Sequence, residues 1–416
     1  MSAAPAAPSL AAPESIAIGS PLKRAFYALE AILLRLAGPA AEDGRPPTRW
    51  VVFGHAAVGD TLFLLPAWTR LRRAYPKAHI AYVSNPSPIS RELIPATGLF
   101  DEILEIELRD DWSWRRSANE RIQKGRYDAA LFSLSAVVPY FQPALAGIPL
   151  RAGFHMDAVP PGAGFFWRMK RALVTGELSR RLLFNRAAVV GGEAENAVAR
   201  NLRLMGALGL PQSSPESVPF PVTDAAKRYA FQALEPLRTG KLVAIHPGSA
   251  SNPYFKIWPP EKLGRLCRRL IEEAKVSCVL VGGAEDMPNA AAVCAAAGRE
   301  IPSFVGRCGL LETFALISEC DLFIGSDTGL AKAAIAQGVP SATLWGPTDP
   351  VELGAWKNPH RHLDLRSGIS CSPCVRLGMP YPKTPGGLDY RTCSHHDCLN
   401  KLPEPDLWCQ VSTFLT

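Results

Sequence analysis

From Arg49 onward, short β-branched and apolar runs alternate with stretches of helical periodicity: WVVFG, a helix through Leu71, HIAYVS and, later, YDAALFSL. Residues 211–223, PQSSPESVPFPVT, break the pattern and read as a connection between domains. A second alternating series follows, with KLVAIH, a helix from Glu261, VSCVLVGG, a helix from Met287, DLFIGS, a helix from Thr328, and SATLWG. Short apolar runs, each followed by a helical pattern, predict parallel strands covered on both faces by helices. Two open α/β units in tandem leave a cleft between their strand ends, where such sheets bind ligands. The predicted division is residues 1–48 as a tail and helix, 49–215 as a first Rossmann-like domain and 224–402 as a second. The second includes a cysteine-rich segment, 368–400, and residues 403–416 are expected to pack near the domain junction.

Ahead of the first strand, LKRAFYALEAILLRLAG sets Leu22, Phe26, Leu29, Leu33 and Leu36 on one helical face and Lys23, Arg24, Glu30 and Arg35 on the other. Such a helix either docks its apolar face on its own domain or lies on a membrane surface as a basic anchor. No uninterrupted apolar run reaches the roughly 18 residues of a membrane-spanning helix. Residues 1–20, rich in Pro, Ala and Ser, lack the pattern of a secretory signal, so the chain reads as cytoplasmic.

At 416 residues the chain exceeds the roughly 250–300 at which single cores stop growing, in keeping with two domains. Its 47% hydrophobic and 20% charged residues are those of an α/β protein and not of a disordered chain. A net charge of +7 suits anionic partners such as a nucleotide diphosphate, an acidic glycolipid or a membrane surface. Nucleic acid is not expected, because dense Lys/Arg runs interleaved with aromatics are missing. The dinucleotide, P-loop, zinc-protease and nucleophile-elbow motifs are absent, which sets aside those enzyme classes.

Candidate chemistry concentrates at strand ends. In FGHAAVGDTLFLLP the first strand runs into a helix opening at Gly59-Asp60-Thr61. Asp60 there reads as an N-cap, and the same carboxylate, kept ionised by the helix dipole, can take a proton from an acceptor hydroxyl. In HPGSASNPYFKIWPPEKL, Gly248, Ser249 and Ser251 can bring amides and hydroxyls to a diphosphate, and Lys256 supplies a mobile positive charge. A strand delivers Ser326-Asp327-Thr328-Gly329 onto a helix whose free amides form an anion site. Asp327 would be repelled by phosphate, so its expected role is to hold sugar hydroxyls. GPTDP, after the next strand, is a second turn on the same edge, and Glu285 follows a Gly pair where an acid suits a ribose diol. Taken singly, each of these also reads as a capped turn or a solvated loop.

Cys267, Cys278, Cys294, Cys308 and Cys320 lie singly in apolar segments, as reduced core thiols do. Cys371, Cys374, Cys393 and Cys398 have the arithmetic of a four-thiolate site for zinc or iron, structural because no coordination position stays open. Reduced buried thiols and a disulfide are the other readings of that set.

In their order, GDTLFLLP, YDAALF, HPGS…KIWP, LVGGAED, SDTGL, GPTDP and the terminal CSPC…C…CL resemble glycosyltransferase family 9, from about Val51 to Leu402. Its best-known members are ADP-heptose:lipopolysaccharide heptosyltransferases. The resemblance implies a GT-B fold, two Rossmann-like domains facing a central cleft. It implies inverting transfer of heptose from ADP-heptose to a lipopolysaccharide core hydroxyl, with no catalytic metal. Asp60 matches the family's base, and Lys256 the lysine at the donor phosphates and sugar. Thr328, Gly329 and Leu330 match the helix start that holds the diphosphate, Asp327 the acid near the sugar hydroxyls, Glu285 the ribose acid and Cys308 the adenine-facing position. Ser249 and Ser251 stand in the phosphate loop with altered spacing. Lys332 stands two residues after the Leu of DTGL, where the family commonly has His, so donor contacts there differ. Implied partners are a nucleotide-sugar, a glycolipid acceptor and the cytoplasmic face of the inner membrane. Related autotransporter heptosyltransferases resemble the chain in carrying a cysteine-bound iron finger. The alternatives are a member using another nucleotide-sugar or a protein acceptor, a non-catalytic nucleotide-sugar-binding protein, and an epimerase of the same architecture, for which no second acid/base pair is evident.

Overall fold

The structure, a computed structural model, describes residues 21–37, 44–54, 57–107, 113–134, 138–156, 177–191, 193–211, 220–249, 256–375, 393 and 395–415. One sheet runs β3-β2-β1-β4-β5-β6, from β1 (Arg49–Phe53), β2 (His79–Ser84), β3 (Glu102–Glu105), β4 (Ala129–Phe132), β5 (Leu150–Met156) and β6 (Arg186–Val190). The other runs β11-β10-β9-β7-β8, from β7 (Leu242–His246), β8 (Ser277–Leu280), β9 (Leu322–Ser326), β10 (Ser341–Leu344) and β11 (His362–Leu365). Every pairing between these strands is parallel.

The first half carries α1 (Pro21–Leu36), α2 (Val58–Ala74), α3 (Ser113–Lys124), α4 (Glu177–Leu183) and α5 (Ala197–Ala207). The second carries α6 (Asp224–Leu234), α7 (Pro260–Glu272), α8 (Met287–Ala297), α9 (Leu310–Ser318), α10 (Gly329–Gln337) and α11 (Glu404–Leu415). Alternate residues of a strand feed opposite faces: Trp50 and Val52 enter one core with Leu62 and Trp68, and Val51 and Phe53 enter another with Phe132 and Phe141. The second sheet does the same with Val243 and Ile245 against Ala244. With both faces covered, the central strands are apolar over successive residues, as in Leu242–Ile245 of β7. Strand order reverses beside β1 and beside β7, so the loops leaving those strands border the crevice where such sheets take ligands.

Three placements bear on the sequence-based expectations. The apolar stripe of α1 faces outward: Leu22, Phe26, Leu29, Leu33 and Leu36 are 42–80% exposed, while Tyr27 and Ala31 form the buried face. Polar anchoring decides the orientation. Glu30 turns inward to pair with Arg115, Gln142 donates to the Tyr27 carbonyl, and Tyr27 meets Tyr140 edge-on at 5.6 Å. Secondly, α11 packs on α7 within the second domain instead of at the junction. Leu407, Val411 and Leu415 are buried at four-residue spacing, Arg265 pairs with Glu404 at 2.7 Å, and Arg269 lies over Trp408 at 4.4 Å. Thirdly, α2 begins at Val58 with Ala57 as its N-cap, which puts Asp60 at the third helical position and not at the cap.

Candidate active site

The starts of α2 and α10 meet across the junction. A Cβ on Gly329 would fall 2.7 Å from the Val58 Cβ and 3.3 Å from the Gly59 amide nitrogen. A Cβ on Gly59 would stand 3.4 Å from Lys332 Cγ. Glycine at 329 is therefore what lets the two helix ends touch. Each end carries roughly half a positive charge and unsatisfied amides, so each favours an anion nearby. Asp60, in the first turn of α2, is partly exposed at this junction. Two further links cross it: the Leu310 amide donates to Glu92 at 2.9 Å, and Asn196 Nδ2 donates to the Gly354 carbonyl at 3.2 Å.

At the α10 start lies a charge cluster assembled from three loops and the first turn of α10 itself. Lys256 Nζ is 3.1 Å from Asp327 Oδ2, Lys332 Nζ is 2.5 Å from Oδ1, and Thr348 Oγ1 donates to Oδ2 at 2.6 Å. Burial alone would raise the Asp327 carboxyl, but Lys256, Lys332 and Thr348 outweigh it and hold the group well below the usual carboxylate range. Burial likewise pushes the Lys332 ammonium down, against the pull of Asp327. Lys332 Nζ also sits 4.4 Å over the Trp345 ring, which suits a desolvated cation. Two ammonium groups thus share the one Asp327 carboxylate, with Asp364 also acting on Lys332. Both Asp327 oxygens are engaged and the side chain is 3% exposed, so its carboxylate organises the two lysines.

The expected diphosphate contacts Thr328, Gly329 and Leu330 are the N-cap and first two residues of α10. Ser249 is buried on the loop after β7, and Ser251 lies outside the described residues. Glu285 is exposed on the turn after β8. The Cys308 loop closes on that turn, since a Cβ on Gly306 would be 3.0 Å from Ala284 Cα. Cys308 Sγ is 3.1 Å from Tyr229 Oη; burial pushes the thiol up, and that hydrogen bond pushes the Tyr229 hydroxyl to about 12.

Sequence reasoning missed three groups here. His246 and Asp286, distant in sequence, form a buried pair at 3.0 Å; their positions in HPGS and GGAED, flanking the glycines, were the available signal. Thr348 in GPTDP was seen only as a turn. Arg200 of α5 carried no signal: burial pushes its guanidinium down, and Glu352, Asp60 and Glu195 pull it back, which places it in the electrostatic neighbourhood of Asp60.

At the cysteine cluster, burial first, then the charges of Cys374, Cys393 and Cys371, push the Cys398 thiol to about 12. Among the described residues, no group of three or more His, Cys, Asp or Glu side chains is disposed to hold a metal ion. The expectation of zinc or iron at Cys371, Cys374, Cys393 and Cys398 thus finds no support in the arrangement of these thiols; Cys398 is instead packed into the second domain's core with Leu399 and Leu402.

A family model described as glycosyltransferase family 9 (heptosyltransferase) matches residues 117–384. Lipopolysaccharide heptosyltransferase 1 of Pseudomonas aeruginosa is 24% identical over 349 residues, covering 79% of this chain and 86% of that protein. Among solved structures, Escherichia coli ADP-heptose LPS heptosyltransferase II is similar at a TM-score of 0.63 and 21% identity, covering 88% of this chain and 98% of that one. A family 9 glycosyltransferase of Veillonella parvula gives 0.68 at 19% identity, covering 88% and 97%. These likenesses establish the GT-B fold, and the match of the family model over more than half its length shows that this chain belongs to glycosyltransferase family 9.

Proposed function

We propose that this chain transfers heptose from ADP-heptose to a hydroxyl of a lipopolysaccharide core, with inversion at the anomeric carbon. The observation that carries the reading is the meeting of the α2 start, bearing Asp60, with the α10 start at Gly329 and Lys332. Asp60 takes the proton of the acceptor hydroxyl as its oxygen attacks the anomeric carbon. The bond from that carbon to the diphosphate breaks, and ADP leaves with the electron pair. Lys256 and the first-turn amides of α10 stabilise the charge that develops on the leaving group, as preorganised donors do. Asp327 holds Lys256 and Lys332 in place, Glu285 takes the ribose and Cys308 borders the adenine. The name of the Escherichia coli relative supports ADP-heptose as donor, and the name of the Pseudomonas relative supports a lipopolysaccharide acceptor.

The reaction is placed at the cytoplasmic face of the inner membrane, with α1 against the lipid. No helix among the described residues is long and apolar enough to cross a membrane. The outward stripe of α1 instead supports contact in the plane of the interface: it is flanked by Lys23 and Arg35, while the helix's one carboxylate, Glu30, is turned inward to Arg115. Burying each such side chain contributes about 1.5–3 kcal/mol, and anionic headgroups complement the cations.

Incubation with a panel of nucleotide-sugars and a heptose-deficient core acceptor tests the reading. Transfer from ADP-heptose above all others is expected. Preferential turnover of a different nucleotide-sugar, or donor binding with no transfer to any acceptor, would replace it.

A further inference from the structure

Three helix starts among the described residues are capped by the side chain of their N-cap residue. Asn196 accepts from the Val198 amide at 3.0 Å, Thr223 from the Ala226 amide at 3.2 Å and Asp349 from the Val351 amide at 3.0 Å. Thr328 is the same residue type as Thr223 and has the same extended backbone, yet its side chain makes no cap hydrogen bond. Its Oγ1 stands instead 3.2 Å from Nδ1 of His246.

The imidazole that holds this hydroxyl is itself fixed. Its Nε2 lies 3.0 Å from Asp286 Oδ2, an oxygen that also accepts from the Gly283 amide at 3.0 Å. The two side chains are only 2% and 3% exposed. Glycines close in around them. A Cβ on Gly325 would be 3.0 Å from His246 Cβ, one on Gly282 would be 3.2 Å from His246 Cδ2, and one on Gly248 would fall inside the Asp286 carboxylate. With Nε2 taken up by Asp286, Nδ1 is the ring nitrogen left to hold the Thr328 hydroxyl. Where His246 holds it, the Thr328 hydroxyl makes no hydrogen bond to the amides of its own helix.

We propose that His246, fastened by Asp286, is a positioning residue that holds the Thr328 hydroxyl off the α10 start and so keeps the first-turn amides open for the donor's diphosphate. The inference rests on reading that helix start as the diphosphate site. Released from His246, Thr328 becomes an ordinary cap, and a phosphate must displace it before taking the amides. From the usual worth of a threonine cap, this weakens binding about fivefold.

The test is calorimetric titration of ADP into the full chain as wild type, His246→Phe, Thr328→Val and the double variant, each checked for a cooperative melt. His246→Phe is expected to weaken ADP about fivefold on the wild-type background and less than about twofold on the Thr328→Val background, because no hydroxyl remains to be released. A purely structural role for His246 would give the same loss on both backgrounds, and that result overturns the proposal, as does unchanged affinity in His246→Phe. If His246→Phe does not fold, Asp286→Ala, which unfastens the ring without emptying its place, is expected to show the same dependence on Thr328. Wild type that fails to bind ADP at all would overturn the donor-site reading itself, a result distinct from wild-type binding that His246→Phe leaves intact.

Discussion

Replacing Gly329 with Ala puts one methyl group where the two domains touch. Its carbon would lie 2.7 Å from Val58 Cβ and 2.8 Å from Val58 Cγ1, short of ordinary contact by about 0.7 Å, and 3.3 Å from the Gly59 amide. Both sides of this contact are helix starts, so the shift falls on the seating of α10 against α2 and not on a flexible side chain. A misplacement approaching 1 Å between a catalytic group and its substrate costs on the order of 10²-fold, so kcat is expected to fall about 10- to 100-fold. Alanine is at least as favourable as glycine in a helix by up to about 1 kcal/mol, so the melting temperature should not drop through backbone effects. ADP affinity should stay within about threefold, because Lys256, Lys332 and Asp327 all belong to the second domain. Steady-state kinetics with ADP-heptose, together with ADP titration, separates the two effects. Val58→Gly in the Gly329→Ala background removes the opposing Cβ and should restore most of kcat. Wild-type kcat in Gly329→Ala would refute the claim that this contact sets the catalytic geometry.

Asp327→Asn leaves two lysines short of their buried counter-charge, and a loss of about 3–5 kcal/mol is expected in denaturant unfolding. Since Asp327 in the folded state is held below its unfolded value near 3.9, its contribution is complete above that pH and is lost only as pH falls through the lower folded value. Wild type should therefore lose no stability through Asp327 between about pH 8 and 5, and a loss on acidification within that window that Asp327→Asn abolishes would contradict the assignment. Lys256→Met should weaken ADP and lower kcat together, whereas a change in neither removes it from the diphosphate site. Leu29→Glu with Leu33→Glu should abolish co-flotation with anionic vesicles while leaving turnover of a detergent-solubilised acceptor unchanged; persistent flotation would place the membrane contact elsewhere.

Much of the fold was legible because a parallel sheet leaves a strong trace. Runs such as LVAI and LFIG, apolar on both faces, each followed by helical periodicity, admit few other arrangements. The loops that follow them were legible for the same reason, and Lys256, Asp327 and Thr328 do converge. What escaped depended on partners remote in sequence. Periodicity separates the faces of α1 but does not say which one docks, and that was decided by Arg115 drawing Glu30 inward. The length of α2 could be anticipated but not its first turn, so Asp60 fell at the third helical position in place of the cap. His246 pairs with Asp286 across two strands, and the Asp327 carboxylate satisfies two lysines at once, neither of which a local pattern encodes.

The most direct measurement compares wild type with Asp60→Asn, following transfer from ADP-heptose to a heptose-deficient core and, separately, donor affinity. If the α2 carboxylate takes the acceptor proton opposite a diphosphate held at α10, the variant binds donor within about threefold of wild type and transfers it some 10²- to 10⁴-fold more slowly. Transfer at the wild-type rate by Asp60→Asn would contradict the account.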